Sequence, residues 1–567
     1  MSDFDRAKRL FFEALDCMDA RNFCDAERRL RDALQLAPTN VSILTNLAVV
    51  LQQQGKRREA REHAEKAIAV QPDNVEALLV LADARMGEQE FNAALDAYDR
   101  IIMLDPNIAQ VHNNRGITLE KVGRHGDALD SYERAIALAP DFADAHVNRG
   151  RALRRHKRHD EAIAAYDQAL ALDPGLAHAW LGRGNVLSDL KRDEDALAAY
   201  DKALGLKSDL ASAWLGRGNV FGRLRRHDEA LAAYDQALAL EPALAEAWLG
   251  QGNTLCELKR CEDALVPYDK ALALKPELGE AWLGRGNVFH DLKRYDEALA
   301  AYDKALAVSP DLAGAWLGRG NALRSSKRTP EAIEAYRQAL KFGGDAASIT
   351  YCLAALGAAP RPAAPPERYF ADLFDSYADD FEHDLVENLN YHIPAVLADT
   401  IRRYTSSRAL DILDLGCGTG LVGAQIRPVA RTLTGIDVSA NMLEKARQRQ
   451  IYDQLLCGDA AQVLQAQDRQ FDLALAADVF IYVGELSPIF RAVRAALRAG
   501  GLFGFSVEAA EQGDFVLLST LRYAHSIGYL RRLAEQHRFV VELIEPQVIR
   551  RDAGADVAGY LAVMRVR

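Results

Sequence analysis

The residues best placed to do chemistry lie in the last third of the chain, in the run Asp414-Leu415-Gly416-Cys417-Gly418-Thr419-Gly420. This run directly follows the apolar stretch ALDILDL, and glycines there let the backbone approach a ligand closely at the carboxyl edge of a sheet. A second apolar stretch, TLTGID, ends on Asp437, a carboxylate able to accept hydrogen bonds from both hydroxyls of a ribose. A third, QLLCGD, ends on Asp459, which can reach the amino group of an adenine. A fourth, FDLALAA, leads into Asp478 and Tyr482, and the later segment RYAHSIGYL carries Tyr523 and His525. A histidine in a loop or helix start near that edge can deprotonate an oxygen or nitrogen nucleophile. Each of these has a plainer reading too: Asp478 as a strand-end cap, Tyr482 as a packing aromatic, His525 as a structural or exposed histidine.

Such residues need a scaffold. From residue 409 the apolar stretches, with GLFGFSVE as a fifth, alternate with helical segments such as NMLEKARQRQ and PIFRAVRAALR. That alternation predicts a doubly wound α/β sheet of parallel strands. VVELIEPQVIRR and AGYLAVMRVR, joined through DAGAD, predict a terminal antiparallel hairpin. Ahead of the first strand, Phe370, Phe374, Tyr377 and Phe381 stand at spacings of four, three and four. This is a buried helical stripe, a lid helix, or both.

The remainder is periodic. Proline recurs every 34 residues at Pro38, Pro72, Pro106, Pro140, Pro174, Pro242, Pro276 and Pro310, with Ser208 replacing one member. Trp180, Trp214, Trp248, Trp282 and Trp316 keep the same interval, and so do ten alanines from Ala26 to Ala332. Ten units run from about residue 7 to about 346. Each reads as two antiparallel helices around a short polar turn, ended by a proline that cannot continue a helix. Gly184 and Ala196 sit where the pair would cross closely. The segment ASITYCLAALG predicts a capping helix, and AAPRPAAPP, residues 358–366, predicts a semi-rigid spacer holding two parts apart.

At 567 residues the chain exceeds one hydrophobic core, and its net charge of −12 disfavours nucleic acid as the main partner. The start MSDFDRAKRL lacks an apolar signal core, and no uncharged apolar run reaches the roughly 18 residues of a membrane span. The seven cysteines are scattered without a C-x-x-C pair, so neither a zinc site nor a disulfide framework is expected. The expectation is a cytoplasmic protein with reduced thiols and no metal.

The periodic part resembles the tetratricopeptide repeat, whose pattern matches at Trp180, Gly184, Ala196, Tyr200, Ala203 and Pro174 or Pro242. The resemblance implies an all-α superhelix with a concave groove lined by first helices. It places Asn185, Asn219, Asn253, Asn287 and Asn321 on the concave wall, beside exposed leucines such as Leu181 and Leu215. A ladder of amides there can bind the backbone of an extended peptide. Repeat duplication alone also accounts for the recurrence.

Over essentially all of 367–567 the chain resembles class I S-adenosylmethionine-dependent methyltransferases, on ILDLGCGTG, GIDVSANML, CGDA and the final hairpin. The resemblance implies a Rossmann-like fold with S-adenosyl-L-methionine as cofactor. Gly416, Gly418 and Gly420, with Asp414 and Cys417, would cradle the methionine part, and Asp437, beside Val438, would bind ribose. Met442 would pack on adenine, Asp459 and Ala460 would hold the adenine edge, and Tyr377 and Phe381 would close over the cofactor. GTGLVG at 418–423 also matches the dinucleotide pattern G-x-G-x-x-G, but Gly423 then falls inside the following helix. Where methyltransferases of planar amino groups carry an NPPY-like segment, this chain has Ala477-Asp478-Val479-Phe480, as in small-molecule and ubiquinone-type enzymes. Asp478 and Tyr482 would then face the transfer site, with Tyr523 and His525 as further catalytic candidates.

The organisation expected is a repeat superhelix over 1–357, a linker over 358–366 and a methyltransferase domain over 367–567. The function expected is methyl transfer to an O, N or C nucleophile, with the repeats recruiting a protein. A small-molecule methyltransferase using the repeats as an assembly platform is the alternative. A non-catalytic scaffold is disfavoured by the intact glycine turn and both aspartates.

Overall fold

The computed structural model describes residues 2–366, 369–378, 391–405, 409–466, 470–552 and 555–567. The chain divides into two compact units, residues 1–276 and 277–567.

The first unit is a stack of helix pairs, from Asp3–Asp19 with Phe23–Leu36 to Ala245–Glu257 with Cys261–Leu274. The consensus residues explain the stack. Trp180 Nε1 donates to the Pro174 carbonyl at 3.1 Å and Trp248 Nε1 to that of Pro242 at 3.0 Å, tying those first helices to the turn before them. From the third pair onward, beginning with Tyr98, the tyrosine of the second helix is the plug. A Cβ on Gly184 would stand 2.8 Å from the Tyr200 ring, and one on Gly216, in the next repeat, 2.5 Å from it. Glycine at both places lets two helices close on one buried ring. The turn between paired helices uses a left-handed basic residue, such as Lys157 (φ 57°), Lys191 (φ 57°) or Arg225 (φ 57°).

The second unit begins with two more helix pairs, Gly279–Asp291 with Tyr295–Val308 and Ala313–Ser325 with Thr329–Lys341. The expected capping helix follows at Ala346–Ala355, its first turn held by Asp345, which accepts the Ser348 amide at 2.9 Å. The proline-rich run after it is not a free spacer. Pro362 O accepts the Tyr523 hydroxyl at 3.1 Å, Ala363 O accepts the Glu485 amide at 2.9 Å, and Arg361 donates to Phe515 O. The carbonyls of Pro362 and Ala363 and the guanidinium of Arg361 strap the run to the sheet domain. Tyr351 of the capping helix, 2% exposed, donates to Leu521 O at 3.0 Å, and Arg324 of the last repeat donates to Ser519 O at 2.8 Å. The last two repeats, the cap and the sheet therefore belong to one body.

Among the described residues the sheet has nine strands: β1 Leu410–Leu415, β2 Ala430–Asp437, β3 Gln454–Cys457, β4 Phe471–Ala476, β5 Leu497–Ala509, β6 Phe515–Leu517, β7 Tyr523–His525, β8 Phe539–Asp552 and β9 Ala555–Val566. Strands β3, β2, β1, β4 and β5 lie parallel in that order, and β9 pairs antiparallel with both β5 and β8. The five expected strands and the terminal hairpin are all present. The short hairpin β6–β7 is an addition. β4 leaves β5 at Phe505, β9 stays paired to Glu508, and β7 pairs with Glu508 and Ala509. A strand has two edges, so β7 takes the edge that β4 vacates, above the carboxyl end of β4.

Candidate active site

β1 is buried along its whole length, and the chain leaves it through the glycine turn at the carboxyl edge. Gly416, Gly418 and Gly420 adopt φ of 61°, 52° and 97°. A side chain at Gly416 would in addition meet Val479 at 2.5 Å. Beneath the turn Asp414 is 1% exposed: one oxygen accepts the Tyr452 hydroxyl at 2.6 Å, and the other has no partner among the described residues. Burial pushes its carboxyl up to about 7, against the hydroxyl of Tyr452, which pulls it down. Asp437 closes the turn from β2, accepting the Gly418 amide at 2.8 Å and the Ser439 amide at 2.9 Å. Burial raises its pKa as well.

Around this centre the expected residues fall as follows. Cys417 is buried against Gly435, Val438 is 41% exposed, and Met442 is buried in the helix Ala440–Gln448. Asp459 is exposed and caps the helix Ala460–Val463 by accepting the Gln462 amide at 3.0 Å, with Ala460 half-buried beside it. Phe381 and the side chain of Tyr377 lie outside the described residues, although the backbone of Tyr377 ends the expected helix Tyr369–Tyr377. That helix meets the site through a residue the sequence did not single out. Asp375 accepts the Ser439 hydroxyl at 2.5 Å and the Asn441 amide at 3.2 Å, just after β2. On the same helix Phe370 and Phe374 pack on Tyr482, at 4.5 and 5.1 Å between ring centres.

Asp478 follows β4 in the left-handed region (φ 59°), its amide donating to Ser506 Oγ at 2.8 Å. Both its oxygens lie 3.0 Å from Nη1 of Arg550, which is 1% exposed on β8, while Nη2 of Arg550 donates to Glu508 of β5. Burial raises both carboxyls, and the guanidinium opposes that rise. Burial and the nearby Asp478 push Tyr482 up to about 12 and Tyr391 well above its usual value. The Arg550–Glu508 pair was not foreseen. Arg550 stands 72 residues from Asp478 in the terminal hairpin, on a strand with four other charged residues, so its sequence context does not single it out.

Tyr523 and His525 are placed differently from the expectation. His525 lies on β7 rather than in a loop or helix start, is fully buried, and has Nε2 3.0 Å from Gly484 O. A carbonyl only accepts, so Nε2 carries the hydrogen. Nδ1 is buried without a partner among the described residues, and desolvation lowers the pKa to about 4. The Tyr523 hydroxyl is engaged by Pro362 O, and its ring packs on Tyr351 and Phe515.

On the repeats, each amide of the ladder has a partner in its own repeat. Asn185, Asn219 and Asn253 in the first unit accept the hydroxyls of Tyr200, Tyr234 and Tyr268 at 2.9, 2.9 and 2.8 Å. Asn287 and Asn321 in the second unit do the same for Tyr302 and Tyr336, both at 2.9 Å. The oxygen is fixed, and the NH2 group remains as a donor.

Comparison with known proteins agrees with this division. The family described as methyltransferase domain matches residues 413–505. Tetratricopeptide repeat families match 45–107, 113–177, 177–210, 215–279, 260–313 and 283–348. Methyltransferase-like protein 27 of Homo sapiens is 35% identical over 106 residues, 18% of this chain and 43% of that protein. The malonyl-[acyl-carrier protein] O-methyltransferase of Serratia marcescens is 34% identical over 107 residues, 18% of this chain and 42% of that protein. The chain thus spans less than half the length of these relatives. Among solved structures, the crystal structure of MamA protein aligns with 30% of this chain and 92% of its own, at 26% identity and a TM-score of 0.28.

Proposed function

We propose that this union of tetratricopeptide repeats with a class I methyltransferase domain is an enzyme that methylates a protein-borne acceptor using S-adenosyl-L-methionine. The observation that carries the reading is the glycine turn, with Asp437 closing it and one buried oxygen of Asp414 left without a hydrogen-bond partner among the described residues. That set fits the cofactor's parts: backbone for the methionine end, a carboxylate for the ribose, and an acceptor for a cationic group.

When bound, S-adenosylmethionine supplies a methyl group on a sulfonium, already a strong electrophile. In this reading Asp437 keeps its two amide bonds and accepts ribose hydroxyls on its remaining lone pairs, with Val438 alongside. Met442 and Cys417 form the apolar floor, Asp459 and Ala460 the adenine edge, and Tyr377 and Phe381 the cover. The helix Tyr369–Tyr377 keeps water out, latched by Asp375. Asp478, held by Arg550, orients the acceptor together with Tyr482. His525 supports Gly484 and the loop after Tyr482 rather than taking a proton. Alignment alone can supply about 7–11 kcal/mol, against about 3–5 from a general base. The Serratia marcescens relative, named an O-methyltransferase, supports oxygen as the acceptor atom among O, N and C.

Recruitment by the repeats rests on the ladder of NH2 donors at Asn185, Asn219 and Asn253, which match carbonyls of an extended partner. The test is to incubate the full chain with methyl-labelled S-adenosylmethionine and a cell lysate, then separate products by mass. Label on a macromolecule is expected. Label confined to small molecules would leave the repeats as an assembly platform, and no cofactor binding at all would end the assignment.

A further inference from the structure

The last helix pair of the first unit, Ala245–Glu257 with Cys261–Leu274, departs from its neighbours at three positions. Cys256 stands where neighbouring repeats have Ser188, Gly222, His290 and Arg324, and Cys261 where they have Asp193, His227, Tyr295 and Thr329. Pro267 stands inside the second helix, where the others have Ala199, Ala233 and Ala301. The first two registers meet across the turn. In the next repeat His290 and Tyr295 bring their rings to 5.6 Å between centres, and in an earlier one Ser188 and Asp193 both accept from Nη2 of Arg223. Here the same registers hold two half-buried thiols. Cys256 Sγ lies 3.6 Å from the Tyr268 hydroxyl, and burial, then Cys256 and Cys261, hold that hydroxyl well above the usual phenol range. The turn between the thiols carries Lys259 and Arg260, and Cys261 opens a helix of 14 residues, whose N-terminus favours a thiolate. Pro267 cannot donate to the Asp263 carbonyl, which loosens the first turn from the rest of that helix.

We propose that Cys256 and Cys261 are a peroxide-responsive dithiol that closes to a disulfide across this turn. The Cys261 thiolate takes one oxygen of hydrogen peroxide, the O–O bond breaks, and hydroxide leaves as water with the proton the thiol gave up. Cys256 then attacks the sulfur of the resulting sulfenic acid, the S–O bond breaks, and a second water leaves with the Cys256 proton. Two thiols are oxidised to one disulfide, and one peroxide is reduced to two waters. A thiol favoured as thiolate beside a resolving thiol, both reachable from solvent, is the arrangement such chemistry needs. The repeat fold needs sulfur at neither register, since serine, glycine, aspartate and tyrosine serve there in other copies. Closure draws Cys256 away from the Tyr268 hydroxyl, which also donates to Asn253 at 2.8 Å, so the oxidation is felt at one rung of the amide ladder.

The test treats the reduced full chain with a small excess of hydrogen peroxide, blocks remaining thiols with N-ethylmaleimide, and digests with trypsin without reductant. Trypsin cuts after Lys259 and Arg260, so the peptides carrying Cys256 and Cys261 stay joined in the mass spectrum only through a disulfide. The joined species should form at least about tenfold faster than Cys24 or Cys457, exposed thiols elsewhere, are oxidised. Dithiothreitol should reverse it. Cys256→Ser should stop at a sulfenic acid on Cys261, trapped by dimedone, and its circular dichroism should superimpose on that of the parent. Pro267→Ala should slow closure at least about threefold, because the first turn is then held by the full helix. Separate blocking of Cys256 and Cys261 at the pace of Cys24, or a disulfide from either to another cysteine, overturns the pair. Dimedone on Cys256 in Cys261→Ser, as fast as on Cys261 in Cys256→Ser, overturns the assignment of Cys261 as the thiol that meets peroxide. A Pro267→Ala rate equal to the parent's overturns the role given to the proline.

Discussion

Buried polar atoms are handled in two ways in this molecule. In the repeats the hydroxyls of Tyr200, Tyr234 and Tyr268 are buried against glycines and each donates to an asparagine oxygen of its own repeat. At the carboxyl edge of the sheet, one oxygen of Asp414 and the hydroxyl of Thr419 are buried without a partner among the described residues, and Asp478 sits at a positive φ. These three tyrosines meet the rule that buried polar groups find partners, and repeating one solution makes a surface, although Tyr132 Oη and His159 Nδ1 elsewhere in the array are buried without a hydrogen-bond partner among the described residues. The edge departs from the rule in one small region, as a preorganised ligand site does. Local satisfaction against local deficit is the difference each of the following measurements probes.

The largest effect should come where a repeat element serves the sheet. Tyr351 packs on Tyr369, Phe370 and Tyr523 and donates to Leu521 O. Tyr351→Ala should lower the stability of segment 277–567 by about 3–5 kcal/mol, the usual loss for a buried aromatic. Segment 367–567, which lacks the cap and strap, should be weaker still by urea denaturation. If either is within about 1 kcal/mol of the parent segment, the cap is an ornament on an independent domain.

Next comes the closing carboxylate. Asp437→Ala removes the carboxylate proposed to hold the ribose, along with its tie to Gly418 and Ser439. It should weaken S-adenosylmethionine by about 1.5–3 kcal/mol, roughly tenfold to a hundredfold by calorimetry. An unchanged affinity would sink the ribose role, and preferential NADH binding would replace the cofactor.

Much of this was legible beforehand, for physical reasons that also mark where legibility stops. Ten helix pairs follow from a 34-residue period because each copy votes for the same helix, turn and proline. Five strands and the glycine turn follow from apolar runs that alternate with amphipathic ones. The tyrosine–asparagine bonds were missed because the sequence shows both residues recurring but not that they face one another across the pair. The proline run was read from its stiffness, and its carbonyls, which make the contacts, leave no trace in side-chain pattern. β6 and β7 are three residues each, too short for periodicity to show. Arg550, Asp478 and Glu508 meet only once strands distant in sequence pair.

A smaller effect separates the ladder's two roles. Asn219→Ala leaves the Tyr234 hydroxyl without its acceptor and should cost about 1–3 kcal/mol, read as a lowered urea midpoint. Asn219→Asp keeps an acceptor oxygen and removes only the NH2 group. The protein has already made that exchange in an earlier repeat, where Tyr98 donates to Asp83 at 2.7 Å. Asn→Asp at 185, 219 and 253 should therefore hold stability nearly constant while weakening a bound partner. If the aspartates unfold the array as the alanines do, the NH2 groups are structural and the ladder is not a binding surface.

The last prediction concerns the deficit at Asp414. Its carboxyl stands at about 7 in the folded chain because it is buried, against 3.8 for an ordinary aspartate. Folding therefore favours the neutral form. The resulting stability is fully present below about pH 4 and is lost as pH rises through about 7. A cationic ligand asks for the opposite, an ionised Asp414. Affinity for S-adenosylmethionine should then rise with pH, about tenfold from pH 6 to pH 8, and level off above. Below pH 7 binding should release a proton, seen in calorimetry as a heat that changes between buffers of different ionisation enthalpy. Tyr452→Phe, which removes the hydroxyl that lowers this pKa, should move the midpoint upward. Asp437 is also raised by burial and lies close enough to oppose Asp414's ionisation, so the two must be told apart. Asp414→Asn should flatten the profile if Asp414 is the titrating group. A profile that keeps its slope in that variant assigns the proton to Asp437, and the unpartnered oxygen beneath the glycine turn is then not where the ligand's charge is met.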